Sequence, residues 1–138
     1  MKFTPIYAGK LSESPDKEKT DELTVRFKEG HAIGSVTVAD GFLFVKKGLR
    51  NYYIEYTDAE KIFRRVRRLH ANICCGDGDI EVEHLVIMAD GRELMEVTLP
   101  DRKAAQMLMN DLKEKAPMLD TTAPVRADVA DPNGEKVS

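Results

Sequence analysis

Two short apolar segments, Glu83 to Met88 and Glu93 to Leu99, flank Asp90-Gly91, and an amphipathic stretch from Asp101 to Lys115 follows directly after Pro100. Asp-Gly supplies the positive φ that tight hairpin turns require, so the two segments read as an antiparallel pair. Pro100 ends the second strand, because it offers no backbone donor to a ladder. Asp101 is placed to cap a helix, in which Ala104, Ala105, Leu108, Met109, Leu112 and Ala116 form one apolar stripe. A stripe of that kind has to cover something, and the surface nearest in sequence is the open end or face of the preceding sheet.

Upstream, the chain reads mostly as short strands. Glu22 to Lys28 alternates, with Leu23, Val25 and Phe27 on one side and Thr24, Arg26 and Lys28 on the other, the period of a half-buried antiparallel strand. Ile33 to Val38 and Phe42 to Lys46 are β-branched or aromatic runs joined through Ala39-Asp40-Gly41, a second hairpin. Gly48 to Asn51 makes the next turn, and Tyr52, Ile54 and Tyr56 alternate after it. Residues 57–73 admit two readings. Thr57 with Glu60 fits a capping box, and Ala59, Ile62, Phe63, Val66, Leu69 and Ile73 fall at helical spacing. Strand-like runs lie on both sides, however, and one turn followed by a strand from Phe63 satisfies the same capping signal. Gly76-Asp77-Gly78 reads as a loop, with a strand resuming at Ile80.

At 138 residues, with 42% hydrophobic and 33% charged side chains, the chain fits a single globular domain with a core of its own. No apolar run approaches the ~20 residues of a membrane span. The N-terminus lacks the continuous apolar segment and small-residue cleavage site of a secretory signal, and two adjacent cysteines make no disulfide framework. A reducing cytoplasm is the expected setting. The net charge of −3 sits at the ends: residues 12–22 carry five acids against two bases, and residues 117–138 carry four against two, while Lys2 and Lys10 add two positive charges. Residues 23–116 are therefore neutral, without the domain-wide positive footprint of a general nucleic-acid binder. The expected organisation is an N-terminal segment with a charged loop over 1–22, a domain over 23–116, and a Pro-rich, disordered tail over 117–138.

The strand succession, the hairpin turns and pieces such as GSVTVADGFLFV, YYIEYTDAEKIFRRV and HLVIMADGRELMEVTLPDRKAAQMLMNDL resemble small bacterial proteins of the pleckstrin-homology-like (PH-like) superfold. The resemblance covers about residues 23–116. It implies a mainly β fold, a barrel of about seven antiparallel strands in two orthogonal sheets capped by one C-terminal α-helix. It also favours strand over helix from Phe63 onward, where the fold expects strand pairing.

Lys61, Arg64, Arg65, Arg67 and Arg68 make the densest positive cluster in the chain, with only Asp58 and Glu60 as acidic neighbours in sequence. Guanidinium forks suit planar oxyanions, which makes this a candidate partner-binding or anion-binding segment. The competing reading is a solvated face, with Glu81, Glu83, Glu93 and Glu96 of the neighbouring strands pairing across the sheet. Lys46, Lys47 and Arg50 form a second small basic group at a hairpin tip. The first hairpin offers only Arg26, Lys28 and His31 before Lys46, which departs from the lysine-rich pattern of phosphoinositide-binding members.

Cys74 and Cys75, with His70 and His84 nearby, lack the C-x2-C spacing by which two sulfurs converge on zinc, and adjacent strand residues point to opposite faces. None of His31, His70 or His84 lies in an HExxH or nucleophile-elbow context, and no glycine-rich loop opens a helix. The expectation is a non-catalytic binding or adaptor module with no cofactor or metal, recognising a protein or peptide partner. Weak binding to an anionic membrane surface or phosphate ligand through the arginines is the alternative, and self-association through sheet edges is a third outcome.

Overall fold

The computed structural model describes residues 2–6, 15–73 and 76–124. Its elements run β1 (Phe3–Pro5), α1 (Lys17–Glu29), β2 (His31–Ile33), β3 (Val36–Val38), β4 (Phe42–Lys47), β5 (Arg50–Glu55), a 3-10 turn (Tyr56–Asp58), β6 (Lys61–Ile73), β7 (Gly76–Ala89), β8 (Arg92–Thr98) and α2 (Arg102–Lys115). Among the described residues the fold is mainly β with two helices. The strands form two sheets and not a closed barrel: one in the order β1-β5-β4-β3-β2, the other β6-β7-β8. Strands β2 to β8 pair antiparallel within their sheets, whereas β1 joins β5 in parallel.

The five-stranded sheet is covered on both faces, which is why β4 reads FLFV rather than alternating. On one face Val36, Val38, Leu43, Val45 and Ile54 pack against Ile62, Leu85, Ile87 and Val97 of the other sheet, and against Ala105, Leu108, Met109 and Leu112 of α2. On the other face Phe42, Phe44 and Tyr53 meet Phe3 and the helix α1, through Leu23 and Phe27. The rings interlock edge to face, Phe27 on Phe44 at 5.3 Å and Phe3 on Tyr53 at 6.5 Å between centroids.

Helix α1 corrects the expected strand over Glu22–Lys28. The Asp16 side chain accepts from the Lys19 N–H at 2.8 Å and caps the helix. Leu23 and Phe27 are four residues apart, so a helix brings both onto the aromatic face, while Val25 turns outward and is 52% exposed. The alternation was real but belonged to a helix of which only one stripe is buried. The charged stretch 12–22 is accordingly helical from Lys17, and α1 crosses the expected boundary at residue 23. A second correction falls on Ile33–Val38, which is not one strand but the hairpin β2–β3, turning at Gly34.

Helix α2 begins where expected, with the Asp101 carboxylate accepting from the Ala104 N–H at 2.8 Å. The hairpin turn before it places Asp90 at φ 55° and Gly91 at φ 71°. Residues 57–73 resolve as a 3-10 turn followed by strand, and the strand starts at Lys61, two residues before Phe63. Glu60, the would-be capping acid, accepts instead from the Gly91 N–H at 2.8 Å. Past α2 the chain turns at 117–118 and meets β6 at Asp120.

Candidate binding edge

The arginine run falls entirely on β6. Alternation puts Ile62, Arg64, Val66 and Arg68 on the face that continues into the aliphatic core, and Phe63, Arg65, Arg67 and Leu69 on the opposite, outer face. Each guanidinium meets a carboxylate from the neighbouring strands. Arg64 holds Glu83 through Nε and Nη2 at 2.6 and 2.9 Å, and Glu83 is only 4% exposed. Arg67 grips Glu96 in the same bidentate way at 2.6 and 2.8 Å. Arg68 reaches Glu81, directly opposite in the register, at 3.1 Å. Arg65 pairs with both oxygens of Glu93, one at 3.0 Å, and lies 3.6 Å from Glu96.

The double contact of Arg65 depends on a bulge. Glu93 and Glu96 are three residues apart, so in a regular strand they would point to opposite faces. The register of β7 with β8 shifts at Ile87/Met88: Val86 faces Glu96, but Met88 faces Glu93, with one residue of β8 left over. Both glutamates thereby reach the outer face. Arg65 is 9% exposed there, with its guanidinium carbon 5.5 Å from the centre of the Phe63 ring, and its Nε has no hydrogen-bond acceptor among the described residues.

Electrostatics follow the contacts. The Arg64 guanidinium holds the Glu83 carboxyl below the usual carboxylate range, against the opposing push of burial. Arg67 does the same for Glu96. The cluster is thus an internally compensated lattice of cross-strand pairs. It leans positive at one corner, where Arg102 from α2 shares Glu81 with Arg68 at 3.4 Å.

What the lattice leaves open, among the described residues, is the outer edge of β6. The two sheets have four edge strands: β1 and β2 have three residues each, β8 has seven and β6 has 13. Among the described residues only Asp120 pairs with the outer side of β6, in a single parallel bridge to Lys61. Its carbonyl accepts from the Ile62 N–H at 3.1 Å, and its carboxylate lies 3.5 Å from Lys61 Nζ. The pairing stops there, because the Thr122 N–H is taken by Asp120 Oδ1 at 2.9 Å and Pro124 has no N–H to give.

Strand β8 pairs with β7 only from His84 onward, with one further bond from the Leu99 N–H to the Glu83 carbonyl, so among the described residues 76–82 of β7 and their partners on β6 form a two-stranded ribbon. At about 3.4 Å per residue the ribbon reaches roughly 25 Å past the third strand. Leu69 and Ile80, opposite one another, are 50% and 44% exposed, and Val66 is 47% exposed. Sequence reading identified the arginines and their four carboxylates but not Asp120, Arg102 or this apolar exposure.

The other candidates are placed elsewhere. Lys46, Lys47 and Arg50 are exposed at the β4–β5 tip, on the other sheet and at the far end of β5 from the turn leading into β6. Cys74 and Cys75 lie outside the described residues, as does the His70 side chain. Among the described residues no three His, Cys, Asp or Glu side chains converge as metal ligands. His31 is paired with Asp111 of α2, and His84 lies 3.5 Å from Glu96. A shallow cleft of about 550 Å³ runs between Tyr56–Glu60 and the 115–120 segment, beside the start of the β6 edge. Its Tyr56 hydroxyl is partly buried, donates to the Ala39 carbonyl at 2.9 Å, and resists ionisation because of that burial. No described helix is long and apolar enough to cross a membrane. Compared with known proteins, the chain matches no family model, no curated protein and no solved structure.

Proposed function

We propose that the chain is a non-catalytic binding module of PH-like build, which recognises a protein or peptide partner by accepting it as an added strand on the outer edge of β6. The PH-like reading is supported by the succession of a four-stranded meander, β2 to β5, a three-stranded meander, β6 to β8, and then α2. The additions to that plan are β1 and α1. The observation that carries the binding reading is the edge itself. Natural sheets keep edge strands short, bent or covered, because a row of unpaired backbone groups templates further pairing. Here β1, β2 and β8 obey that rule and β6 does not. An extended segment added to such an edge draws affinity from the backbone and selectivity from alternate side chains. The anionic-lipid reading is weakened by the placement of the arginines on both faces of β6, Arg64 and Arg68 on one and Arg65 and Arg67 on the other, which presents no single flat basic surface to a membrane.

The Ile62 N–H points outward to Asp120, so by the two-residue period the Arg64, Val66 and Arg68 N–H groups point outward too. Val66→Pro therefore removes one outward donor and spares the β6–β7 ladder, a placement proline tolerates on edge strands. Affinity capture with wild type and this variant, with the bound proteins identified and hydrogen exchange followed on β6, tests the reading. Loss of a defined partner in the variant, together with slowed exchange at residues 64, 66 and 68 in the wild-type complex, is the expected result. A partner retained equally by both proteins, with those amides unprotected, would refute edge binding.

A further inference from the structure

We infer that the strand accepted by β6 is an acidic one, an extended peptide bearing Asp or Glu at the positions that flank Arg64, Arg65, Arg67 and Arg68, with aliphatic residues beside Phe63, Val66 and Leu69. The inference rests on the strand-addition reading above and specifies its partner. The first observation is the one described residue seated on this edge. Asp120 brings its carbonyl to the β6 backbone and its carboxylate to Lys61, so the protein itself shows an acidic residue bridged to this edge with its side chain on a β6 cation.

The second observation is the charge left over along the edge. A guanidinium carries five N–H donors and a bidentate carboxylate contact uses two, so the existing pairs leave capacity for a second oxyanion from a neighbouring strand. Arg68 and Arg102 have to share Glu81, and Arg65 and Arg67 both draw on Glu96. An added strand lies about 4.8 Å away, within reach of side chains this long. Arg67 and Arg68 remain 45% and 66% exposed and can turn toward it.

The same charges argue against the other occupants. Antiparallel self-pairing centred anywhere between Arg64 and Arg68 sets arginine against arginine, which is destabilising across a ladder. The chain's own continuation past Asp120 meets Pro124 at the register position that should donate to the Arg64 carbonyl. Among the described residues, the edge therefore repels a second copy of itself and is not extended by residues 121–124.

The test uses the full chain and three end-blocked peptides, Ile-Glu-Glu-Val-Glu-Glu-Ile and its analogues with lysine or glutamine in place of every glutamate. The pattern reads the same in both directions, so strand orientation does not decide the outcome. Titration and amide exchange should show the acidic peptide binding about tenfold tighter than the glutamine peptide, as expected for several cross-strand charge pairs. The lysine peptide should be weakest, the gaps should narrow as salt rises, and protection should fall on residues 64, 66 and 68. Equal binding of acidic and neutral peptides with those amides protected overturns the charge assignment and leaves strand addition standing. Absence of protection by any of the three overturns both. A concentration-dependent dimer that Val66→Pro abolishes would make a second copy the occupant and overturn the peptide assignment. Because the peptides vary and the protein does not, misfolding of a variant cannot mimic the first two outcomes.

Discussion

Breaking the Arg64–Glu83 pair from its two ends should cost unequal amounts, and the inequality follows from burial. Glu83 is 4% exposed, whereas the Arg64 side chain is 27% exposed. Arg64→Met removes the cation and strands a carboxylate that has little access to water. Removing one partner of a fully buried pair costs about 3–5 kcal/mol; with Arg102 still contributing to the field at Glu83, about 3 kcal/mol is the expected loss. Glu83→Gln leaves a guanidinium that can swing to solvent, and it keeps a side-chain acceptor for one of the two hydrogen bonds. Its cost is then about 1–2 kcal/mol, that of weakened charge-assisted hydrogen bonds. The double variant should fall short of the sum by about 1–2 kcal/mol, because the second change removes an interaction already lost.

Urea unfolding followed by circular dichroism at pH 7 measures all four corners of that cycle. Arg64→Met should also lose the acid sensitivity of the pair: in wild type the Glu83 carboxyl is held down chiefly by Arg64, whereas in the variant burial becomes the largest remaining influence, opposed by the weaker pull of Arg102 and His84, and pushes it up. The stranded carboxylate should therefore be relieved by protonation, and Arg64→Met should approach wild-type stability as pH falls from 7 toward 4. Equal costs from the two ends, or a coupling below about 0.3 kcal/mol, would mean the pair behaves as an ordinary surface contact, and the placement of Glu83 at the margin of the core would be wrong.

Three further outcomes follow from the same packing and pairing. Leu23→Ala should cost about 3 kcal/mol and weaken the near-ultraviolet circular dichroism of the aromatic layer, since Leu23 is fully buried where α1 covers that layer; a change under 1 kcal/mol in urea unfolding would contradict the docking of α1. Gly34→Ala should cost about 2 kcal/mol in the same assay, because residue 34 has φ 61° and a new Cβ would lie 3.0 Å from Pro100 Cδ. Stability of the wild type should be nearly flat from pH 7 to about 5 and should fall below the ordinary glutamate value of 4.5, because Glu83 and Glu96 have folded-state values below that reference. Their contribution is complete above it and is lost as pH drops through the lowered values; Arg67→Met should remove the share that belongs to Glu96.

The parts of the fold that were legible in the sequence are those in which local chemistry and burial agree. Asp90-Gly91, Pro100, the Asp101 cap and the stripe from Ala104 to Ala116 all point to one hairpin and one helix, and both are present. Helix α1 was not legible because Leu23, Val25 and Phe27 satisfy a period of two as well as a helix satisfies Leu23 and Phe27 alone. The informative signal lay elsewhere, in β4. FLFV is apolar at every position, which a sheet with one solvated face would not need. A cover for the second face was therefore required, and the segment before Gly30 was available to supply it.

For the arginines the limit was register. Spacing alone shows that Arg64 and Arg68 share one face of a strand while Arg65 and Arg67 share the other. Two of the four carboxylates, Glu81 and Glu83, then follow from a simple hairpin, because they sit within one position of Arg68 and Val66 in the antiparallel register. The other two do not. An odd spacing separates Glu93 from Glu96, so pattern reading would give Arg65 only one of them, and only the extra residue in β8 brings both to it. A bulge is a tertiary compromise between the twist of β8 and the burial of its apolar residues, and it leaves no local signature in the chain. The consequence reaches the binding edge. The bulge concentrates negative charge beneath Arg65 and Arg67 near the body of the domain, while Arg68, farther out along the ribbon, shares a single glutamate with Arg102. Positive charge is thus least compensated where the edge is most open, and an incoming acidic strand should meet Arg68 before it meets Arg65.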